Sequence, residues 1–432
     1  MGARSRHQAR ALLILAVAAC DGSSPTPLVP TANPAREVVD TQLALDVTAH
    51  TGVATLALGA SDTEGATLEI GDLTIDAVTD ADQADVAFSA HDAKLDLALA
   101  MGDASGPIAI AYHYNLHENF SGISKNGFSL VWPYFCGNMF PCHSAPADGT
   151  TFSAVSIAGV PSGDVAIVPA SIPAEAPSYQ VAFALGAYTE LPVGTTTAGT
   201  QVSMWYRASE LANAQKGSAN LVAAIDWFEK TLGPYRFGPK LGGVPVTWGI
   251  GQFGGMEHHP FWHVASGALG DEETNVHESA HGWFGDGIRI ACWEDFVLSE
   301  GTVSYLAGRA LDVVAPTVGA AVWQSYTTAL AGIAPTDPVW PDSCGTVDIL
   351  KDNLFTNAPY MRGAFFYRAV ALKLGADVLD GALHQFYVDH AGRAAKMNDM
   401  LDTIKTVTGY DATACAQMWL RSSTIPSIGP CP

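Results

Sequence analysis

The chain has 432 residues, of which 48% are apolar and only 15% charged; that is enough apolar material for two or three cored domains and excludes an intrinsically disordered protein. Asp and Glu outnumber Lys and Arg by 43 to 21, a net charge of −22 that favours solubility and argues against a nucleic-acid backbone as partner.

The first element in chain order does not belong to the fold. Arg4, Arg6 and Arg10 lead into an apolar run at 11–19, too short to span a bilayer, which ends Val17-Ala18-Ala19 directly before Cys20. This stretch resembles the lipobox of bacterial lipoproteins. The resemblance implies a signal peptide at 1–19 and lipidation of Cys20. It also implies a place in the bacterial cell envelope, on a periplasmic or cell-surface face, with the membrane touched through the lipid alone. The alternative is an ordinary secretory signal in which Cys20 has no role. Residues 21–38 are rich in Ser, Thr and Pro, so 20–40 is expected to be a lipidated cysteine on a flexible tether.

From 41 to 208 the pattern is β. LALDVTAH, ATLALGA, ATLEIGDLTIDAV, KLDLALAM and IAIAYHYNL are short segments, often alternating, separated by Gly/Asp/Ser turns, and TFSAVSI, DVAIV, YQVAFAL and QVSMWY follow. One β-sheet domain of sandwich or saddle type is expected there. Residues 209–432 are α-rich. Helical periodicity runs through 208–232, stopping at Gly233-Pro234, and returns at 272–284, 295–312, 363–374, 380–391 and 397–408, with a strand-like VPVTWGI at 244–250. The expected fold class is therefore α+β. No second apolar span follows the first.

Apart from Cys20 there are six cysteines: Cys136, Cys142, Cys292, Cys344, Cys415 and Cys431. An even number in an exported chain suggests disulfides. Fifteen pairings are open, and joining neighbours (136 with 142, 292 with 344, 415 with 431) is the simplest. A cysteine zinc site is disfavoured, because no C-x-x-C pair exists.

The chemistry concentrates in DEETNVHESAHGWFG, which contains H-E-x-x-H as His277-Glu278-Ser279-Ala280-His281. On a helix, positions i and i+4 share one face, so two neutral imidazoles can bind one zinc. Glu278 projects beside them and is placed to take a proton from a water that such an ion acidifies. Asp271, Glu272 and Glu273 suit the first turn of that helix. Eighteen residues follow His281 and then comes Glu300, in the apolar helix-like segment WEDFVLSEGTVSYLAGRAL. A buried carboxylate needs a partner, and one from a second helix completes a His₂Glu set with the fourth position open.

HESAHGWFG…CWEDFVLSEGTVSY resembles the aminopeptidase N family of gluzincins, whose pattern is H-E-x-x-H, eighteen residues, then Glu. Upstream, Gly254-Gly255-Met256-Glu257-His258 is similar to that family's G-x-M-E-N exopeptidase motif. This implies that Glu257 binds the substrate's free α-amine while the backbone of Gly254, Gly255 and Met256 lines the peptide groove. Downstream, NAPYMRGAFFYRAVALKLG resembles the segment that carries the family's catalytic Tyr, which places that role on Tyr360. The likeness covers roughly residues 41–430. It implies a thermolysin-like catalytic domain at 209–432, one Zn²⁺ per chain, and peptides with a free N-terminus as substrates.

The chain departs from the family in three ways. His258 replaces the motif's Asn, leaving His258, His259 and His263 as structural, surface or substrate-facing residues. WPYFCGNMFPC lacks the Gln or Glu that the family offers as a second amine ligand. The resemblance ends where many relatives continue into a helical domain over the active site, so a more open cleft is expected. The expected function is a zinc aminopeptidase. The alternatives are a gluzincin of other specificity, or a catalytically silent, surface-anchored peptide-binding protein.

Overall fold

A computed structural model of the chain describes residues 28–432 apart from 103–105, 119–120, 132–134, 249–252, 338, 350 and 353. The expected signal segment and Cys20 lie outside the described residues. The tether, expected through residue 40, ends sooner. Arg36 is 1% exposed, and its guanidinium donates to the carbonyls of Gly59, Gly65 and Ala100. Asn33 donates to Ser61 Oγ at 2.9 Å. These anchors lie far along the chain, where a local compositional pattern does not register them.

The first sheet has six strands, ordered Ile172–Ala176, Thr150–Ala158, Val38–Asp46, Thr51–Leu58, Ile108–His113 and Thr74–Thr79. Val38–Asp46 pairs antiparallel with Thr51–Leu58 and parallel with Thr150–Ala158. Alternation places Leu43, Leu45, Ala54, Leu56, Ile108 and Ile110 on the buried face. A three-stranded sheet of Ala66–Glu69, Lys94–Leu97 and Phe88–His91 adds Leu68, Leu95 and Leu97 to the same core. The Cys136–Cys142 disulfide closes a loop in that core, where the Tyr112 hydroxyl donates to the Met139 carbonyl at 2.9 Å.

The boundary expected at 208 falls earlier. Thr189–Thr195 and Gln201–Tyr206 belong to a five-stranded sheet with Lys240–Val246, Phe261–Ala265 and the edge strand Gly255–Met256. Gln201–Tyr206 runs parallel to Lys240–Val246, so these strands join the helical half. Strand periodicity marks a strand but not the sheet that receives it.

The helices follow: α1 (Leu211–Gly217), α2 (Leu221–Thr231), α3 (Glu272–Ala280), α4 (Phe296–Val314), α5 (Pro316–Ala331), α6 (Asn357–Leu374), α7 (Ala376–His390) and α8 (Met397–Thr408). The single helix expected over 208–232 is two, with a turn at 218–220. Helix α5 was not anticipated. Its sequence signals were Pro316 in its first turn and the buried positions Val322, Tyr326 and Leu330. Helix α6 begins six residues before the expected 363, because Thr356 caps Ala358 N and Pro359 is tolerated in the first turn.

Cys292–Cys344 and Cys415–Cys431 are joined, so all three neighbour pairings are present. Cys292–Cys344 ties the segment after α5 to the entrance of α4. There Glu294 also accepts from the backbone N–H groups of Thr346 and Val347 at 2.5 and 2.8 Å.

Helices α4 and α6 cross at two glycines. A Cβ on Gly301 would sit 2.7 Å from the Gly363 Cα, and one on Gly363 would sit 2.5 Å from the Gly301 Cα. Both contacts are backbone and cannot yield cheaply. Gly363→Ala should therefore lower unfolding stability by about 1–3 kcal/mol in a urea titration. Gly381→Ala, in α7 with no atom within 4 Å of its Cβ position, should raise stability by about 1 kcal/mol.

Candidate metal centre and catalytic cleft

Helix α3 starts at Asp271, whose side chain accepts from Glu273 N at 3.1 Å, and its acidic first turn complements the positive helix end. One turn apart near its other end, His277 and His281 bring their Nε2 atoms to 3.3 Å. From α4, Glu300 Oε2 lies 3.2 Å from the first and 3.4 Å from the second. Four ligands held at ~2.0–2.1 Å in a tetrahedron lie about 3.3–3.4 Å apart, so the three donors already form one face of a zinc site. His281 Nδ1 donates to the Phe284 carbonyl at 3.1 Å, which turns the Nε2 lone pair toward that point. Glu273 Oε1 stands 4.0 Å from His277 Nδ1 on the outer side.

Electrostatics favour a cation there. Burial lifts the Glu278 carboxyl well above its usual range, with Glu257 and Glu300 adding to the rise. Burial likewise raises Glu257, helped by Glu300. Against the effect of burial, His281 and His277 bring Glu300 down to about 2. Also against burial, Glu300, Glu257 and Glu278 raise His281 to about 10. A divalent ion supplies the positive charge that these acids otherwise draw from a proton on His281. A second grouping, Cys292, Asp295 and Cys344, offers no thiolate, because its cysteines are joined to each other.

Glu257 follows the edge strand Gly255–Met256, and its carboxylate lies within 4.8 Å of ligand atoms of Glu278 and His281. Gly255 makes this possible: a Cβ there would come within 2.3 Å of Glu278 Oε1. Met256 and Gly254 line the same cleft, of about 300 Å³. Tyr360, in the first turn of α6, stacks its ring on His277 at 6.1 Å and 22°, with Phe296 edge-on at 5.9 Å. Burial and then Glu300 push its hydroxyl pKa well up, so the phenol stays a proton donor. The structure thus brings together every residue singled out from the sequence around the metal.

The three histidines left open are structural. His258 Nδ1 donates to the Tyr179 carbonyl at 2.8 Å, and His263 packs edge-on against the His258 ring at 5.0 Å. His259 donates from Nε2 to the Glu278 carbonyl at 2.9 Å and accepts at Nδ1 from the Tyr235 hydroxyl at 2.8 Å, tying down the end of α3. Burial lowers the pKa of His258 and His259 to about 3, so both are neutral.

Sequence reading missed Tyr179 and Asp286. The Tyr179 hydroxyl interacts with Glu257 and with Asp286. The Asp286 carboxylate is wholly buried and makes no hydrogen bond of ordinary geometry. Burial raises its pKa well above the usual range, and Glu257 adds to this. Asp286 closes the HGWFGD run and so had a signal in its proximity to His281. Tyr179, in APSYQ, had none.

The Peptidase family M1 domain matches residues 269–419. Aminopeptidase B of Rattus norvegicus is 26% identical over 326 residues, covering 68% of this chain and 47% of that protein. Aminopeptidase N of Streptomyces lividans is 24% identical over 168 residues, 36% of this chain and 19% of that protein. The chain therefore spans less than half the length of these relatives. In fold it is similar to an M1 zinc metallopeptidase mutant from Deinococcus radiodurans bound to a Tyr-Ser-Ala substrate, with TM-score 0.76, 19% identity, and 91% and 96% of the two chains covered. Native yeast LTA4 hydrolase gives 0.73 at 18% identity, covering 91% of this chain and 69% of that one.

Elemental analysis of purified protein should find one zinc per chain, and Glu300→Gln should weaken its retention by at least about tenfold in a chelator competition. Residues 269–419 match the peptidase family M1 domain, and the chain as a whole is similar in fold to two-domain M1 zinc metallopeptidases.

Proposed function

We propose that the chain is a zinc-dependent aminopeptidase that removes single residues from the N-terminus of peptides. The observation that carries this reading is the Glu257 carboxylate within 4.8 Å of Glu278 and His281. An α-amine bound to Glu257 leaves room for one residue before the carbonyl at the metal donors. A longer N-terminal stretch would have to bury its backbone against a carboxylate it could not pair.

His277, His281 and Glu300 would hold the zinc, which when bound supplies Lewis-acid polarisation of the carbonyl and acidification of water. Glu278 takes the proton of the attacking water and passes it to the departing amine. Tyr360 donates its hydroxyl to the carbonyl oxygen as negative charge develops there. Glu257 fixes the amine, so the scissile bond is in register before reaction. Tyr179 steadies the Glu257 carboxylate from behind.

Aminoacyl-naphthylamides should be hydrolysed, with activity lost to a chelator and restored by zinc. Glu278→Gln should keep the metal yet lower kcat by at least about a hundredfold. Tyr360→Phe should lower kcat by about 10²–10³-fold with KM changed little. Full turnover by Glu278→Gln would dismiss the assignment. Absence of any hydrolysis by the zinc-loaded wild type would favour a silent peptide-binding protein.

We further propose that the chain is exported and anchored by a lipid on Cys20, in a bacterial cell envelope. The lipobox-like run before Cys20 supports this, as do three disulfides, which need an oxidising compartment. Mass spectrometry of the mature protein should find an acylated Cys20 at its N-terminus; an unmodified thiol there would refute the anchor.

A further inference from the structure

The cleft has a direction. Gly254 packs beside Thr274, Gly255 beside Glu278, and Glu257 beside His281, so the edge strand runs the same way as α3. Under the aminopeptidase reading, on which this inference rests, a peptide has its amine at Glu257 and its first carbonyl at the metal donors. The residues after it then leave along the strand in the opposite sense, past Gly255 and Gly254 toward Thr274. The acid that waits there is Glu273.

Glu273 differs from the two acids before it. Asp271 is spent on the helix cap, and Glu272 accepts from Asn220 at 2.6 Å. Glu273 lines the same cleft as the metal donors, with one oxygen held by the Tyr326 hydroxyl of α5 and a quarter of its side chain open. Glu257, Glu278 and Glu300 are the other charged side chains other than histidine on that wall, and among the described residues no Lys or Arg lines the cleft. The Glu273 carboxylate thus has a fixed orientation, partial desolvation and no Lys or Arg partner in the cleft; the basic group beside it is the His277 imidazole, 4.0 Å from Oε1.

We infer that Glu273, positioned by Tyr326, selects peptides whose second residue is Lys or Arg. The cation of that side chain pairs with the Glu273 carboxylate on the leaving-group side of the scissile bond, in a partly buried setting where such a pair discriminates more strongly than at an open surface. An acidic second residue is disfavoured by the same charge.

The test compares Ala-Lys-Ala, Ala-Ala-Ala and Ala-Glu-Ala with the zinc-loaded full chain. The kcat/KM for Ala-Lys-Ala should exceed that for Ala-Ala-Ala by about tenfold, with Ala-Glu-Ala lowest. Glu273→Gln retains an acceptor for Tyr326 and should bring the Lys-to-Ala ratio to within about twofold of one; Glu273→Lys should invert the order. Each ratio is taken within one preparation, so a change in metal content or folded fraction cancels. Calorimetric titration of Glu278→Gln with the same tripeptides should give the same ranking in Kd, and adding Glu273→Gln should remove it. A wild-type ratio near one, or a preference that survives Glu273→Gln, overturns the inference. If none of the three peptides is cleaved, the aminopeptidase reading falls instead, and the calorimetric ranking alone decides the role of Glu273.

Discussion

Glu257 and Glu278 offer carboxylate oxygens within 4.8 Å of each other and of His281, and Glu300 reaches the same imidazole from α4. At that separation two buried carboxylates repel by about 3 kcal/mol with an effective dielectric constant of ~20. A third acid raises the strain further. Water cannot relieve it, because Glu278 and Glu300 are almost wholly buried. The arrangement is tenable with a cation at its centre, and the rest of the helical half holds the acids in place around it.

The scaffold does this through close approaches rather than bulk. Gly255 lets the edge strand lie against Glu278, and Gly301 with Gly363 lets α4 and α6 touch at backbone level. Because Glu300 precedes Gly301 and Tyr360 lies one turn before Gly363, this one helix crossing sets both side chains into the cleft. His259 fixes the other donor helix by holding the Glu278 carbonyl and the Tyr235 hydroxyl together. Asp295 Oδ1 accepts from Met397 N at 3.0 Å and from Trp340 Nε1 at 3.2 Å, securing the start of α4 against α8.

Much of the site was legible because its spacing is local. A four-residue interval on one helix puts His277 and His281 together whatever the remainder of the chain does. Glu300 was found through an apolar helix that would not otherwise bury an acid, and the disulfides through an even cysteine count. The residues that escaped depend on distant partners. Tyr179 reaches Glu257 across 78 positions of sequence, and Tyr326 meets Glu273 across 53. The same limit explains the domain boundary: Gln201–Tyr206 reads as a strand, yet nothing in its six residues names Lys240–Val246 as its neighbour. Arg36 looked like the end of a linker because the three carbonyls it serves lie 23 to 64 residues further on.

One cross-link has a consequence for the cleft. Phe355 forms part of the wall, edge-on to Phe296 at 5.1 Å, and the segment leading to it is fastened to α4 by Cys292–Cys344. Glu300 stands on that same helix, eight positions after Cys292. Rim and third carboxylate therefore share one foundation, so the width of the cleft is tied to the helix that presents Glu300.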